Sequence, residues 1–262
     1  MSTIDTAYNL PQAGALPAQA LMRDALTAPG PWGFWGSLGW GAFAAITGFF
    51  VVSVYAIVWM LTHQLQTINP ADVAYGTTSA IMILTAPLIV LVLAAKIRKF
   101  SLRDYFALNG FTRRDLVLGI VSLIALIIAF ITVQMLLGIN GGSKEVEASY
   151  RAAKAAGVLP LLLIHVIVVA PVTEELFFRG FLHRGWAPSW LGISGTIVVT
   201  AALWAVLHQQ YNVLGILFIF AMGLIYGWLR QRSGSTLLPM VLHTLNNVVA
   251  TGSVAIQVEL LS

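Results

Sequence analysis

The chain has 262 residues, of which 58% are hydrophobic and only 9% are charged, whereas ordinary soluble domains carry about 25% charged residues. This composition indicates a membrane protein and excludes a soluble enzyme. The sequence has no cysteine, which excludes disulfide bonds, thiolate catalysis and cysteine-based metal sites. The net charge of +4 is small and lies mainly in the loops, so it indicates membrane topology and no nucleic-acid partner.

The first part of the chain, residues 1–38, is rich in alanine, proline and small polar residues. It has no basic segment followed by an apolar core, so it is not a signal peptide. We expect a flexible cytoplasmic tail here. Trp32, Trp35 and Trp40, near its end, predict an interfacial aromatic belt before the first membrane span.

Apolar stretches follow along the rest of the chain, and a spanning helix needs about 20 such residues. They predict an all-α fold, a polytopic transmembrane helix bundle with about seven spans or eight helices. The ten-residue alternating pattern of a membrane β-barrel is absent from the sequence. The spans are expected at residues 39–61, 77–95, 115–137, 159–182, 190–208, 212–229 and 236–257.

The loop between the second and third spans is the most basic, which predicts a cytoplasmic position for it. Its basic residues are Lys96, Arg98, Lys99, Arg103, Arg113 and Arg114. Alternation of the spans then places the N-terminus in the cytoplasm, as expected for a bacterial inner-membrane protein, and predicts that a substrate reaches the fourth span from the cytoplasmic side. Residues 100–108 of this loop mix aromatic and charged side chains, which fits either a segment on the membrane surface or an ordinary loop.

The two halves of the chain differ in the polar residues that their spans carry. Residues 39–138 are expected to form accessory transmembrane helices with the basic loop. Acids, bases and histidines occur in the cores of the spans only from the fourth onward, so residues 157–257 are expected to form a catalytic core. In the sixth span, Gly223 and Gly227 are four residues apart, a spacing that predicts close helix packing inside the bundle.

Two adjacent carboxylates and an arginine stand in the fourth span: Glu174, Glu175 and Arg179. Ionisable groups at membrane depth are costly, and a functional role is the default interpretation. Residues four apart share a helix face, so Arg179 can hold Glu175. Glu174 lies about 100° around the helix and is free to face another neighbour.

Two further helices supply polar partners for Glu174. His208 lies at the end of the fifth span, and His243 and Asn247 are four residues apart on the seventh. These side chains predict a site in which Glu174 acts as a general base on water, His208 orients that water, and His243 and Asn247 stabilise an oxyanion. Glu174, His208 and His243 are also ligand types for a catalytic zinc ion. No cofactor is favoured, and zinc stays as an alternative.

The remaining polar residues in or beside the spans are given structural interpretations. His63, His165 and His183 have no partner at helical spacing, so they are expected to be structural or interfacial. Asn246 and Trp204 are expected to pack around the site and frame it.

The motifs occur in one order in the C-terminal half: Glu174-Glu175-x-x-x-Arg179, Trp204-x-x-x-His208 and His243-x-x-x-Asn247. This set, within residues 157–257, resembles the CPBP family of intramembrane endopeptidases. That family contains the CAAX prenyl endopeptidases and the bacterial Abi proteins linked to bacteriocin processing and immunity. One departure is Trp204, where the family more often has phenylalanine.

The resemblance implies hydrolysis of a peptide bond inside the membrane. It assigns the activation of water to Glu174 with help from His208, and the oxyanion site to His243 and Asn247. Glu175 and Arg179 are implied to support this geometry, with no metal ion. The expected partners are the lipid bilayer and a membrane-associated or lipidated peptide or protein.

Two other functions fit parts of the sequence. Gly192-Ile-Ser194-Gly195 matches the nucleophile motif of rhomboid serine proteases, with His243 as the base. Against this, Ser194 stands near the start of its span and the order of the rhomboid motifs is not met. The second alternative is a non-catalytic immunity, scaffold or transport protein, in which the glutamate and histidines relay protons.

Overall fold

The computed structural model describes residues 31–62, 70–139 and 144–260, and the regular elements in this part of the chain are all helical. This confirms the predicted all-α fold. Residues 1–30 of the predicted tail, and His63, lie outside the described residues. The helices are α1 Phe34–Thr62, α2 Pro70–Ile97, α3 Leu102–Tyr105, α4 Arg113–Leu137, α5 Lys144–Ala155, α6 Leu159–Trp186, α7 Gly192–Val206, α8 Val213–Ser233 and α9 Leu237–Leu260.

Five of these helices, α1, α2, α4, α6 and α8, are long and apolar enough to cross a membrane. The protein is therefore an integral membrane protein. The other two predicted spans differ: α7 has only 15 residues, and at 1.5 Å per residue it is about 22 Å long, short of a bilayer core. Helix α9 has 24 residues, but His243, Asn246 and Asn247 reduce its hydropathy.

The helix ends follow local sequence signals. The side chains of Thr112 and Asn212 accept hydrogen bonds from backbone N–H groups in the first turns of α4 and α8, as N-cap residues do. Gly138 and Gly234 end the same helices with φ of 64° and 66°, a left-handed conformation that glycine adopts without steric cost. Helix α1 begins at Phe34, inside the range predicted as tail.

Helix α6 carries the acidic motif and contains two π-helical turns, at His165–Val169 and Leu176–Leu182. Pro171 lies two residues after the end of the first π turn. A proline inside a helix removes one backbone hydrogen bond and crowds the carbonyl four residues earlier. The wider π turn accommodates this loss, and such turns occur frequently at functional sites.

Helix packing brings α7 against α8 and places α6 beside α2 and α9. A Cβ atom at Gly223 would lie 2.8 Å from Ala201 Cβ and 3.0 Å from Ala201 Cα, so α7 and α8 approach closely where Gly223 has no side chain. Gly227 likewise contacts Ile197 of α7. The predicted packing of this glycine pair inside the bundle is confirmed.

The basic loop folds back onto the end of the bundle. Tyr105, Phe106 and Ala107 are buried, and a Cβ at Gly180 of α6 would lie 2.9 Å from Phe106 Cδ1. The Ala107 carbonyl accepts the Thr236 N–H at 2.9 Å. Residues 100–108 therefore cover this end of α6 and the turn before α9.

Candidate active site

Glu175, Arg179 and His243 form a buried charged cluster in the bundle. Glu175 Oε1 accepts a hydrogen bond from Arg179 Nη1 at 2.9 Å and lies 3.1 Å from His243 Nδ1. Glu175 and Arg179 are 0% exposed, and His243 is 3% exposed. The predicted contact between Glu175 and Arg179 is present, and His243 joins it from α9.

This contact determines how the His243 ring is oriented. An ionised carboxylate oxygen only accepts hydrogen bonds, so Nδ1 of His243 carries the proton and donates to Glu175. Nε2 is then directed away from Glu175. The ring also stacks on Tyr226, with centroids 5.6 Å apart. Glu175 is thus a partner of His243 as well as of Arg179, which helical spacing alone does not show.

Arg179 makes further contacts that hold it in place. Its Nη2 donates to the Gly223 carbonyl at 3.2 Å, at the close approach of α7 and α8. Its guanidinium carbon lies 4.8 Å from the Trp204 ring centroid and 5.5 Å from that of Tyr226, within the range of cation–π attraction. The charge of Arg179 therefore faces Glu175 on one side and aromatic faces on others.

Trp204 of α7 lies next to three predicted site residues, Glu174, His208 and His243. Its indole N–H donates to Glu174 Oε2 at 2.6 Å, and its side chain is 1% exposed. Its ring centroid lies 5.2 Å from that of His208 and 5.2 Å from that of His243. Besides packing around the site, as predicted, Trp204 thus forms a hydrogen bond with Glu174. The sequence contains a signal for this hydrogen bond, because Trp204 stands where the similar family more often has phenylalanine, and tryptophan has an N–H that phenylalanine lacks.

His208 follows the end of α7 and is half-buried. Its Nδ1 lies 2.8 Å from the Trp204 carbonyl oxygen. A carbonyl oxygen only accepts, so Nδ1 carries the proton, and in the neutral ring Nε2 has a free lone pair. Glu174 and His208 are thus both held by Trp204, one through its side chain and the other through its backbone.

Asn247 forms a hydrogen bond to the backbone of α6. Its Nδ2 donates to the Val166 carbonyl at 2.8 Å, within the π turn that precedes Pro171. Asn246 Nδ2 lies 3.4 Å from Asn247 Oδ1. The amide of Asn247 therefore ties α9 to α6, and one N–H of its NH₂ group is left for another acceptor.

A cavity of about 460 Å³ borders Val166, the hydrogen-bond partner of Asn247, a size within the range of about 300–1,000 Å³ of ligand pockets. His165, Val166 and Gln210 line it, together with residues from α2, α5 and α9. It lies at the end of the bundle opposite the basic loop, since its α2 residues come from the first half of that helix. Cytoplasmic access of the substrate stays a prediction from the charge pattern.

The residues proposed as zinc ligands do not come together. In the described part of the chain, no group of three or more histidine and acidic side chains is placed to hold a metal ion. Glu174 Oε1 and the Nε2 atoms of His208 and His243 are free of these hydrogen bonds. The three side chains nevertheless do not fit a three-residue zinc site, because they are not grouped around one point.

Of the other predicted candidates, Ser194 lies apart from the site, whereas His165 interacts electrostatically with Glu174 and His183 with Arg179. Ser194 is exposed in the first turn of α7, ten residues before Trp204 and so about 15 Å from it along the helix. His183 is 3% exposed near the end of α6, in keeping with a structural role. His165 lines the cavity.

Comparisons with known proteins identify the region that holds the site. Residues 156–249 match the model of the Rce1-like family, described as type II CAAX prenyl endopeptidase Rce1-like. An uncharacterized 24.3 kDa protein of Escherichia coli is 38% identical over 89 residues, which are 32% of this chain. The match spans 39% of the length of that curated relative. No solved structure matches the chain. Residues 156–249, which carry the three motifs, are thus similar to the CAAX-type endopeptidases, in agreement with the resemblance that the motifs predict.

Proposed function

We propose that this protein is an intramembrane endopeptidase that hydrolyses a peptide bond of a membrane-associated or lipidated peptide or protein. The observation that carries the proposal is the position of Trp204 between Glu174 and His208. The indole N–H binds Glu174 Oε2, and the backbone carbonyl of Trp204 binds His208 Nδ1. A carboxylate and an imidazole held by one residue form an acid–base pair suited to activating water.

The atoms that remain free define the roles of the pair. Glu174 Oε2 is engaged by Trp204, so Oε1 takes the proton of the attacking water. His208 Nε2 accepts the second hydrogen of that water and fixes its direction. The water oxygen bonds to the substrate carbonyl carbon, the C–N bond then breaks, and the leaving amine takes the proton from Glu174. Such general acid–base assistance contributes about 10²–10⁴-fold to a reaction rate.

The oxyanion site is proposed at His243 and Asn247. Nδ1 of His243 is committed to Glu175, so His243 donates through Nε2 only as the imidazolium. The Glu175 carboxylate is the counterion of that imidazolium. Asn247 contributes the N–H that Val166 does not use. One donor to an oxyanion is worth about 10²–10³-fold in kcat.

The surroundings of the site suggest where it works. We place the protein in a bacterial inner membrane with its N-terminus in the cytoplasm, because the basic loop between α2 and α4 favours the cytoplasmic side. The bilayer is the first partner, since five helices have the length and composition of spans. The substrate then reaches the site through the bilayer or the cavity near Gln210.

The proposal is tested with purified protein in proteoliposomes and a library of quenched fluorescent peptides, each with and without an acyl chain. Wild type is expected to cleave members of the library, Glu174→Gln to lose at least about 10²-fold of that rate, and Ser194→Ala to match wild type. Cleavage retained by Glu174→Gln, or lost in Ser194→Ala, overturns the proposal. A cellular phenotype that survives Glu174→Gln at equal expression favours the non-catalytic alternative.

A further inference from the structure

Two arginines at the end of the bundle near the basic loop form no ion pair with an acidic side chain of the described residues. Arg98 follows the last residue of α2, and Arg184 lies two residues before the end of α6. Arg184 donates to the backbone carbonyl of Asp104 at 2.5 Å, while the Asp104 carboxylate binds the Ser101 hydroxyl at 2.6 Å. The Asp104 carboxylate attracts Arg184 electrostatically but lies beyond ion-pair distance, so both guanidinium groups can still take an anion from outside the chain.

Tyr105 lies close to Arg184, whose Cζ is 5.8 Å from its ring centroid. It is 0% exposed, and it interacts electrostatically with Arg184 and Arg98. Its hydroxyl approaches the backbone of Trp32 but makes no hydrogen bond of good geometry within the described chain. Burial raises the pKa of this hydroxyl to about 12, against smaller lowering effects of the Trp32 backbone and the two arginines. The hydroxyl therefore stays protonated and remains a hydrogen-bond donor.

Aromatic rings hold the two guanidinium groups in position. Arg98 Cζ lies 4.2 Å from the Trp32 ring centroid, and Arg184 Cζ lies 5.2 Å from the Phe100 ring centroid. The Nε atoms of both arginines are buried without a partner among the described residues, although both side chains are partly exposed. Guanidinium groups fixed on aromatic faces lose little entropy when they bind an anion, and their planar fork matches a phosphate group.

A third arginine adds positive charge near Arg184, against the single negative charge of Asp104. Arg230 is 8% exposed on α8 and interacts electrostatically with Arg184, while its Nε donates to the Arg179 carbonyl at 3.0 Å. An anion at Arg98 and Arg184 would relieve the repulsion between these cations. A zwitterionic headgroup would bring an ammonium group into the same field and gain less.

The depth of the cluster in the membrane indicates which anion it meets. Arg98 and Arg184 stand where the spanning helices α2 and α6 end, which is the level of the lipid phosphates. Basic pockets between transmembrane helices bind anionic headgroups. We propose that Arg98 and Arg184, backed by the Tyr105 hydroxyl, bind the phosphate of an anionic phospholipid.

The test is native mass spectrometry of the purified full chain in detergent with phosphatidylglycerol or phosphatidylethanolamine. Wild type is expected to retain one phosphatidylglycerol in preference to phosphatidylethanolamine. The double variant R98Q/R184Q should weaken this binding at least tenfold, and Y105F should weaken it less. The matched control is R103Q/R113Q, which removes the same charge from two exposed arginines of the same loop region.

Three results would overturn the proposal. Equal loss in R103Q/R113Q would show diffuse attraction, equal retention of both lipids would show no selection of an anion, and displacement of lipid by millimolar inorganic phosphate would identify a site for free phosphate. If R98Q/R184Q does not fold, R98K/R184K keeps the charge without the fork and should still bind phosphatidylglycerol more weakly than wild type. Wild-type affinity in R98K/R184K would then contradict the assignment.

Discussion

Trp204 donates its indole N–H to Glu174 across 2.6 Å, and this bond joins α7 to the centre of α6. A phenylalanine at this position would fill much of the same space but would leave that oxygen without its donor. Hydrogen bonds to charged groups contribute about 1.5–3 kcal/mol. The tryptophan therefore fixes the carboxylate that we propose as the base, and it frees the second oxygen for water.

Substituting Trp204 by phenylalanine tests this role. W204F should lower kcat by about 10–100-fold, the equivalent of one charge-assisted hydrogen bond. KM should change little, because the lost bond orients a catalytic group and does not contact the substrate. The measurement is steady-state cleavage in proteoliposomes, normalised to folded protein.

The control for W204F is another buried tryptophan. Trp186 is 2% exposed, and its indole N–H donates to the Phe34 carbonyl at 3.2 Å, far along α6 from Glu174. W186F should reduce thermal stability to a similar extent as W204F without reducing kcat per folded molecule. Equal kcat for W204F and wild type would show that the indole N–H is only structural.

The buried pair of Glu175 and Arg179 should dominate local stability. R179M would leave the Glu175 carboxylate buried and without its cationic partner, which typically costs about 3–5 kcal/mol. The double variant E175Q/R179M removes both charges and should be less destabilised than R179M alone. Unfolding by sodium dodecyl sulfate in mixed micelles measures both free energies.

An exposed pair at the same spacing provides the comparison. Arg151 and Glu147 on α5 are also four residues apart and bonded at 2.8 Å, but their side chains are 44% and 30% exposed. Exposed pairs contribute about 0–1 kcal/mol, so R151M should change the free energy of unfolding little. A loss in R151M equal to that in R179M would contradict the argument from burial.

The sequence predicts those contacts of the site that join residues close together on one helix. Helical spacing alone indicates that Arg179 reaches Glu175, because residues four apart share a face. It does not show that His243 joins Glu175, since α6 and α9 meet only through tertiary packing. The hydrogen bond from Asn247 goes to the Val166 carbonyl, which lies in the π turn before Pro171. A proline in the sequence does not show that such a turn forms, or which carbonyl oxygen it leaves free for a side chain.

The close approach of α7 and α8 predicts a cost for any side chain at Gly223. In G223A, the new Cβ would lie 2.8 Å from Ala201 Cβ, so α7 must move away from α8. That movement displaces Trp204 and should reduce both stability and cleavage.

Gly252 of α9 provides the control. A Cβ at Gly252 would have no described heavy atom within 4 Å, and G252A should be neutral or stabilising by up to about 1 kcal/mol. Equal effects of the two substitutions on thermal stability would contradict the packing argument.

Removal of metal ions should leave cleavage unchanged. The three side chains of a zinc site would have to meet at one point, but in the described part of the chain no three histidine and acidic side chains are placed to hold a metal ion. We expect purified protein to contain less than stoichiometric zinc by elemental analysis, and to cleave peptide equally before and after dialysis against a chelator. Stoichiometric zinc, lost together with activity and restored together with it, would show that Glu174 acts as a ligand and that a metal ion activates the water.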